Sequence, residues 1–155
     1  MTLDINIVQL ESIHVASAYG FGDSPEAIVW KKVLDWADSK CIWDKIESTR
    51  FFGFNNPSPS PGSPSYGYEQ WVTVPENSES EVEMTIKEFS GGLYAVLRCQ
   101  GIANVGNYWE KLVNWRENSA YHSAAHQWLE EMISDPREME DLEKIILDLY
   151  LPISE

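Results

Sequence analysis

The chemistry that this sequence can support centres on a glutamate set among large aromatic residues. Glu130 stands two residues after Trp128, and Trp71 and Tyr150 lie in other runs that alternate apolar and polar residues. Aromatic faces attract cations by about 0.5 to 2 kcal/mol each, and a buried carboxylate adds a charge partner. These residue types therefore predict a cavity for a flat, apolar and positively charged molecule.

Strand alternation places these residues, because residues two apart in a β-strand share a face. In the predicted strand near residue 130, Leu129 and Ile133 are expected to turn toward the helices. The opposite face then carries Trp128, Glu130 and Met132. The same rule adds Tyr150 of the last strand to that face. The alternative is that Glu130 and Glu131 are both solvated strand residues and that the aromatic residues are ordinary core.

An internal repeat predicts the elements that carry these residues. The segment VWKKVLDWADSK at residues 29–40 matches YWEKLVNWRENS at residues 108–119, with both tryptophans of each segment aligned. The same offset of 79 residues aligns Trp71 with Tyr150 in the two closing strands. Two segments that agree on one offset indicate that each half is a strand, a helix and two further strands.

Hydrophobic periodicity and turn residues give the expected bounds of these elements. The first half is predicted to have strands at residues 13–18, 49–54 and 68–74, and a helix that Ser24 caps and Pro25 begins. The second half is predicted to have paired strands at 82–89 and 93–99 turning at Gly91 and Gly92, a helix at 104–119, and strands at 126–133 and 145–153.

The predicted fold class is α+β, with one domain over residues 1–155 and repeat halves of about 1–78 and 79–155. An antiparallel sheet would carry helices on one face and a ligand groove on the other. The segment NNPSPSPGSPSYG interrupts the first half, and its prolines exclude both helix and central strand. It is expected to be a long hairpin connection, with a mobile lid as the alternative.

The charge of the chain excludes several classes of partner. It carries 25 acidic and 11 basic residues, for a formal net charge of -14. A protein that binds nucleic acid directly needs a basic footprint, and an acidic surface repels anionic membranes. We therefore expect no direct DNA binding and no membrane partner, and the acidity also serves solubility.

The remaining motifs argue against a cofactor or a metal. Cys41 and Cys99 have no metal spacing and are expected to be small, mostly buried residues of a reducing compartment. His122 and His126 have the spacing of helical metal ligands but lack a third ligand. No phosphate loop, dinucleotide fingerprint or signal peptide is apparent, so we expect no cofactor, no metal and a cytoplasmic location.

Four segments in order, SGGLYAVLRCQG, WRENSAY, LEEMISD and DLYLPI, resemble the gyrase-inhibitor-like (GyrI-like) domains. Such domains also serve as effector-binding domains of AraC-type and MerR-type transcription regulators. The resemblance covers nearly the whole chain. It implies two βαββ units around a pseudo-two-fold groove that binds hydrophobic, often cationic compounds, including drugs, near a central glutamate.

Carried over by position, the resemblance places the central glutamate on Glu130 and the tyrosine of the closing motif on Tyr150. Tyr108 and Trp109 of the helix would lie near the pocket. Met132 stands where family members often have an aromatic residue. Tyr19 and Phe21, at the predicted strand-to-helix turn, are further candidates. The proposed binding residues are therefore Glu130, Trp71, Tyr150, Trp109, Tyr108, Trp128, Met132, Tyr19 and Phe21.

The sequence leaves three functions to be compared. The first is a stand-alone effector-binding or drug-sequestering protein, since no helix-turn-helix precedes the first predicted strand. The second is a hydrolase of electrophilic cyclopropane compounds, with Glu130 as base and Tyr150 orienting the substrate. The third is a protein inhibitor of a topoisomerase, whose acidic surface imitates nucleic acid. A protein partner or a homodimer remains open.

Overall fold

The computed structural model describes residues 3–155. The helices are α1 (Pro25–Ser39) and α2 (Val105–Glu117). The strands are β1 (Ile5–Leu10), β2 (Ile13–Gly22), β3 (Phe51–Asn55), β4 (Tyr66–Thr73), β5 (Thr85–Phe89), β6 (Gly92–Gln100), β7 (His122–Ser123), β8 (Leu129–Met132) and β9 (Ile146–Ser154). Short 3-10 segments cover Ile42–Ser48 and Ile102–Asn104. The fold is α+β, as the sequence predicts, and no helix in the described range is long and apolar enough to cross a membrane.

These elements form two compact units. The first unit contains residues 13–89, and the second contains residues 3–12 together with residues 90–155. The bounds differ from the predicted halves at 1–78 and 79–155. The reason is strand pairing, since β5 pairs with β2 in the first unit and β1 pairs with β6 in the second.

In the first unit the strand order is β3-β4-β2-β5, and α1 packs on one face of this sheet. Val29, Val33 and Ala37 recur at helical spacing and are fully buried. Gly20 of β2 lets the helix approach closely, because a Cβ atom there would lie 2.9 Å from Cγ2 of Val29. Ser24 precedes α1 as predicted but makes no side-chain capping hydrogen bond.

In the second unit the order is β1-β6-β9-β8, and β7 also pairs with β9. Helix α2 buries Leu112 completely. Arg116 of α2 is also buried, and its Nη1 donates to the carbonyl oxygen of Pro152 at 3.2 Å. A buried hydrogen bond to a strand carbonyl thus fixes the end of α2 against β9.

The two units repeat the same strand register. Val15 of β2 lies opposite Thr73 of β4, and Tyr94 of β6 lies opposite Pro152 of β9. Each residue of the second pair is 79 positions after its counterpart. The repeat of element order that the sequence predicts is therefore also a repeat of hydrogen-bonding register for these two strand pairs, whereas the register of β8 on β9 is shifted by two residues from that of β3 on β4.

The predicted hairpin between the strands that became β5 and β6 is wrong. Phe89 of β5 lies opposite Ile13 of β2, and Gly92 of β6 lies opposite Leu10 of β1. Gly91 has a φ of 80°, and a Cβ atom there would lie 1.9 Å from the carbonyl oxygen of Leu10. The glycines therefore allow a close passage beside the end of β1, a strand that the sequence reading missed.

The Pro/Ser-rich segment is the long hairpin connection that the sequence predicts. It joins β3 to β4, which pair in antiparallel fashion. The amide of Asn56 donates to the carbonyl oxygen of Gly67 at 2.8 Å and extends the pairing past the strand ends. An isolated bridge between Ser60 and Ser63 forms the tip.

The two cysteines differ in environment. Cys99 of β6 is buried, as expected, whereas Cys41 is exposed and has a φ of 55° at the start of the segment Ile42–Ser48. The expectation that both are buried is therefore wrong for Cys41, which occupies a left-handed turn position after α1.

Candidate functional site

The register of β8 on β9 determines which acidic residue lies beside Tyr150. Leu129 is opposite Tyr150, and Glu131 is opposite Asp148, so these four side chains share one face of the second unit's sheet. The Tyr150 hydroxyl donates to Oε1 of Glu131 at 2.7 Å. Both side chains are buried, and Glu131 is only 7% exposed. A carboxylate and a phenol are thus paired away from solvent.

Glu130 lies on the other face, where α2 packs. Its register partner is Leu149, and Met132 is opposite Leu147. The Trp109 indole nitrogen on α2 donates to Oε2 of Glu130 at 3.4 Å. The predicted placement of Glu130 and Met132 on the face of Tyr150 is therefore wrong.

Trp128 belongs to this helix-side group rather than to the group of Tyr150. Its ring centroid lies 5.2 Å from that of Trp109. The alternation of β8 was read correctly, but the face was not, because Leu129 is fully buried on the side away from α2. Both faces of β8 carry buried residues, so hydrophobicity alone could not tell them apart.

Further aromatic residues surround the pair of Glu131 and Tyr150. The ring of Tyr94 on β6 lies 5.3 Å from that of Tyr150, edge to face, and His126 stacks edge-on against Tyr94 at 4.7 Å. Burial raises the pKa of Tyr94, so its hydroxyl remains a neutral donor, here to the carbonyl oxygen of Gln127.

A surface ion pair borders this cluster. The guanidinium of Arg98 donates from two nitrogens to the two carboxylate oxygens of Asp148, at 2.8 and 3.0 Å. The hydrogen bond to Asp148 is the main reason that the pKa of Arg98 is raised, and the charge of Glu131 adds to it. The charge of Arg98 is thus directed first at Asp148, in a fork geometry that suits a carboxylate.

The first unit contains a second buried carboxylate, Glu69 of β4, which is 3% exposed. Its Oε2 accepts hydrogen bonds from Ser17 Oγ at 2.8 Å, Trp71 Nε1 at 2.6 Å and Lys87 Nζ at 2.7 Å. Its Oε1 accepts one from Asn56 Nδ2 at 3.3 Å. Burial raises the pKa of Glu69, but Lys87, Trp71 and Ser17 together outweigh it and hold the pKa below its ordinary value.

Aromatic rings enclose this second carboxylate. The Trp71 ring lies 4.9 Å from Phe54, edge to face, and 5.1 Å from Phe89. The sequence reading selected Trp71 but did not select Glu69. The signal was present, because Glu69 and Trp71 are two apart in a strand and therefore share a face.

The remaining predicted residues are spread over the chain. Tyr19 and Phe21 of β2 are exposed and lie opposite Glu69 and Gly67 of β4, in the same register as Trp71. Tyr108 of α2 is half-buried, and the Lys111 ammonium lies 5.0 Å from its ring centroid. The structure thus divides the predicted residues into a Trp71 group, a Tyr150 group and an α2 group.

No group of three or more His, Cys, Asp or Glu residues within residues 3–155 is arranged to hold a metal ion. Of the two histidines with the spacing of helical metal ligands, His126 has its Nε2 2.7 Å from the carbonyl oxygen of Leu93. His122 pairs with Ser154 at the end of β9.

Solved structures share this fold at low sequence identity. The C-terminal domain of EcmrR matches with a TM-score of 0.75 at 11% identity, over 100% of this chain and 99% of that one. A hydrolase from Listeria innocua matches with a TM-score of 0.71 at 12% identity, over 99% and 93%. SAV2435 bound to tetraphenylphosphonium matches with a TM-score of 0.56 at 12% identity, over 98% and 94%.

The repeated βαββ order and these structural matches define a GyrI-like α+β fold, which confirms the resemblance seen in the sequence. The chain belongs to the Cass2 family of integron-associated effector-binding proteins, whose match spans residues 6–153. No curated protein matches the chain in sequence.

Proposed function

We propose that this protein binds hydrophobic, cationic aromatic compounds and that Glu131 is the electrostatic anchor for the ligand. The observation that carries the proposal is the buried Glu131 carboxylate hydrogen-bonded to Tyr150 beside Tyr94. Removing a carboxylate from water costs several kcal/mol, and a cation of the ligand would offset part of that cost. Aromatic faces around it favour the same kind of ligand.

The comparisons support this class of ligand. The family is one of effector-binding proteins, and the related fold of SAV2435 was solved with tetraphenylphosphonium, a hydrophobic aromatic cation. Tyr150 fits the role of a positioning residue, because its hydroxyl donates a hydrogen bond that orients the Glu131 carboxylate without adding a charge.

The test compares two neighbouring glutamates on opposite faces of β8. Tetraphenylphosphonium binding is measured by isothermal titration calorimetry on the native protein, Glu131→Gln and Glu130→Gln. We expect Glu131→Gln to weaken binding at least tenfold, about 1.4 kcal/mol, and Glu130→Gln to change it less than twofold. The two variants lose the same charge at adjacent positions, so a difference in their affinities shows which face of β8 binds the ligand.

Two results would overturn the proposal. Equal or larger loss in Glu130→Gln would move the site to the helix-side group of Trp109 and Trp128, with Glu130 as the anchor. No binding of tetraphenylphosphonium, or of rhodamine-type dyes, by the native protein would remove the cationic-ligand assignment altogether.

A second candidate function is hydrolysis, favoured by the 2.7 Å contact between a carboxylate and a phenol. In such a reaction Glu131 would take a proton from water, the water oxygen would bond to an electrophilic cyclopropane carbon, and the ring bond would break and be protonated. The similarity to a hydrolase from Listeria innocua extends to the fold alone. Turnover of an electrophilic cyclopropane that disappears in Glu131→Gln would establish it, and absence of turnover would leave binding as the function.

A further inference from the structure

The first unit carries an aromatic-lined carboxylate that already holds a cation, and the cation belongs to the chain. The Lys87 ammonium lies 2.7 Å from Oε2 of Glu69. Trp71 donates to the same oxygen and packs against Phe54 and Phe89. A carboxylate and neighbouring aromatic rings around an ammonium group are what an occupied amine-binding site contains.

The anion side of this site is rigid. Glu69 is almost fully buried on β4, and Ser17, Trp71 and Asn56 donate to it from positions in or next to strands. These three donors are neutral, so they fix the carboxylate without cancelling its charge. Lys87 is the fourth donor and the only charged one of the four, and it shares Oε2 with Ser17 and Trp71.

The cation side is exposed by comparison. Lys87 comes from β5, the outer strand of its unit, and its side chain is 46% exposed. A lysine has four rotatable side-chain bonds and is strongly hydrated, so its ammonium can move into water. Of the four donors to Glu69, Lys87 is therefore the one that a ligand can replace.

We propose that Lys87 is a tethered occupant of a second cation site, and that an amine with a primary ammonium group and an apolar chain binds at Glu69 by displacing it. The inference concerns the first unit and does not depend on Glu131 or on the function proposed for it. A primary ammonium is the matching group because it carries the same three donors as Lys87. Because the Lys87 side chain holds its ammonium near Glu69 at a high effective concentration, an outside amine must bind tightly enough to compete with it.

The test replaces the tethered amine with a free one. Lys87→Ala is prepared in the Glu131→Gln background, so that the site proposed above does not contribute, and is titrated with n-butylammonium chloride against sodium chloride of equal ionic strength. The readout is the indole N–H resonance of Trp71 in nitrogen-proton correlation spectra. We expect a saturable shift with an affinity at least tenfold tighter than in the protein that retains Lys87.

Three controls define the result. Lys31→Ala in the same background removes an equal charge from an exposed pair with Asp35 and should behave as the protein with Lys87. Lys87→Ala combined with Glu69→Gln should lose the saturable shift. 1-Butanol, which has the same chain without the charge, should not produce one.

The proposal is overturned if Lys87→Ala gives no saturable shift, if the shift persists without the Glu69 charge, or if 1-butanol reproduces it. Lys87→Thr gives an independent version of the experiment, because a β-branched residue suits an outer strand and also removes the amine. Failure of tetraphenylphosphonium binding at Glu131 would not affect these outcomes, so the two proposals stand or fall separately.

Discussion

The two units share a backbone plan and differ in how they surround the carboxylate on the face opposite their helix. Glu69 of the first unit and Asp148 of the second stand at equivalent positions of the repeat. Glu69 is opposite Phe54 in the adjoining strand, whereas Asp148 is opposite Glu131. One exchange of an aromatic residue for an acid thus gives the second unit an additional buried carboxylate.

The cations differ as well. Lys87 on the outer strand β5 contacts Glu69 as a single point charge. Arg98 on β6, next to β9, instead donates two parallel hydrogen bonds to Asp148. The comparison shows that register alone does not determine the electrostatics of a repeated site. The side chains of the flanking strands decide whether a carboxylate is closed by a flexible or by a planar cation.

The largest expected effect separates the helices of the two units. Val33 of α1 and Leu112 of α2 are equivalent in the repeat, and both are fully buried. Truncation to alanine should cost about 3 kcal/mol for Leu112 and about 2 kcal/mol for Val33, following the volume removed. Urea unfolding measures both values, and a larger loss for Val33→Ala would contradict equivalent packing.

The next largest effect tests whether Glu69 and Asp148 differ in their contribution to the free energy of unfolding. Glu69→Ala should destabilise the protein by about 2 kcal/mol, below the cost for a fully buried ion pair because Lys87 is half-exposed. Asp148→Ala should cost about 1 kcal/mol or less, since its partner Arg98 is 62% exposed. Equal losses in chemical unfolding would show that burial of the acid is not what distinguishes the two sites.

A smaller effect isolates the planar cation. Arg98→Lys keeps the charge but loses the fork geometry toward Asp148, so we expect a loss of about 0.5 kcal/mol. Lys87→Arg at the other site provides the reverse exchange. Thermal unfolding at two salt concentrations would measure both, and a gain in stability from Arg98→Lys would contradict the geometric argument.

The pH dependence of stability gives the finest distinction. The folded-state pKa of Glu69 lies below its ordinary value, so its stabilising contribution is complete above the unfolded pKa and is lost as the pH falls through the folded pKa. Stability of the native protein should therefore decline as the pH falls below about 5. Glu69→Gln should flatten that decline, and an unchanged slope in acid unfolding would refute the role of Glu69.

Much of the fold could be predicted because the repeat is visible in the residues themselves. The offset of 79 between the tryptophan-containing helices also holds for the register of β2 on β4 and of β6 on β9. The missed strand β1 is the counterpart of β5, because Leu10 opposite Gly92 matches Phe89 opposite Ile13 at the same offset of 79. The wrong hairpin followed from reading Gly91 as a turn, whereas its role depends on contact with Leu10, far away in sequence.

The candidate site was harder to predict for a physical reason. Alternation tells which residues of a strand share a face, but it does not say which face meets a helix. In β8 the adjacent residues Glu130 and Glu131 are both acidic and lie on opposite faces. Assigning the wrong face to the helix therefore selected Glu130 instead of Glu131. In β4 the alternation would have linked Glu69 to Trp71, but in an acidic chain the sequence does not distinguish one buried glutamate from the many exposed ones.

The pairing of β1 with β6 has a consequence for synthesis of the chain. Ile5 lies opposite Leu97, so the two are separated by 92 positions. At about 5 to 20 residues per second, a ribosome needs roughly 5 to 20 seconds to deliver that partner. During this interval β1 lacks the strand with which it pairs, whereas residues 13–89 that follow it contain all the strands of the first unit. The asparagine and glutamine within INIVQL break the apolar run of this waiting strand, which lowers its tendency to pair with other nascent chains.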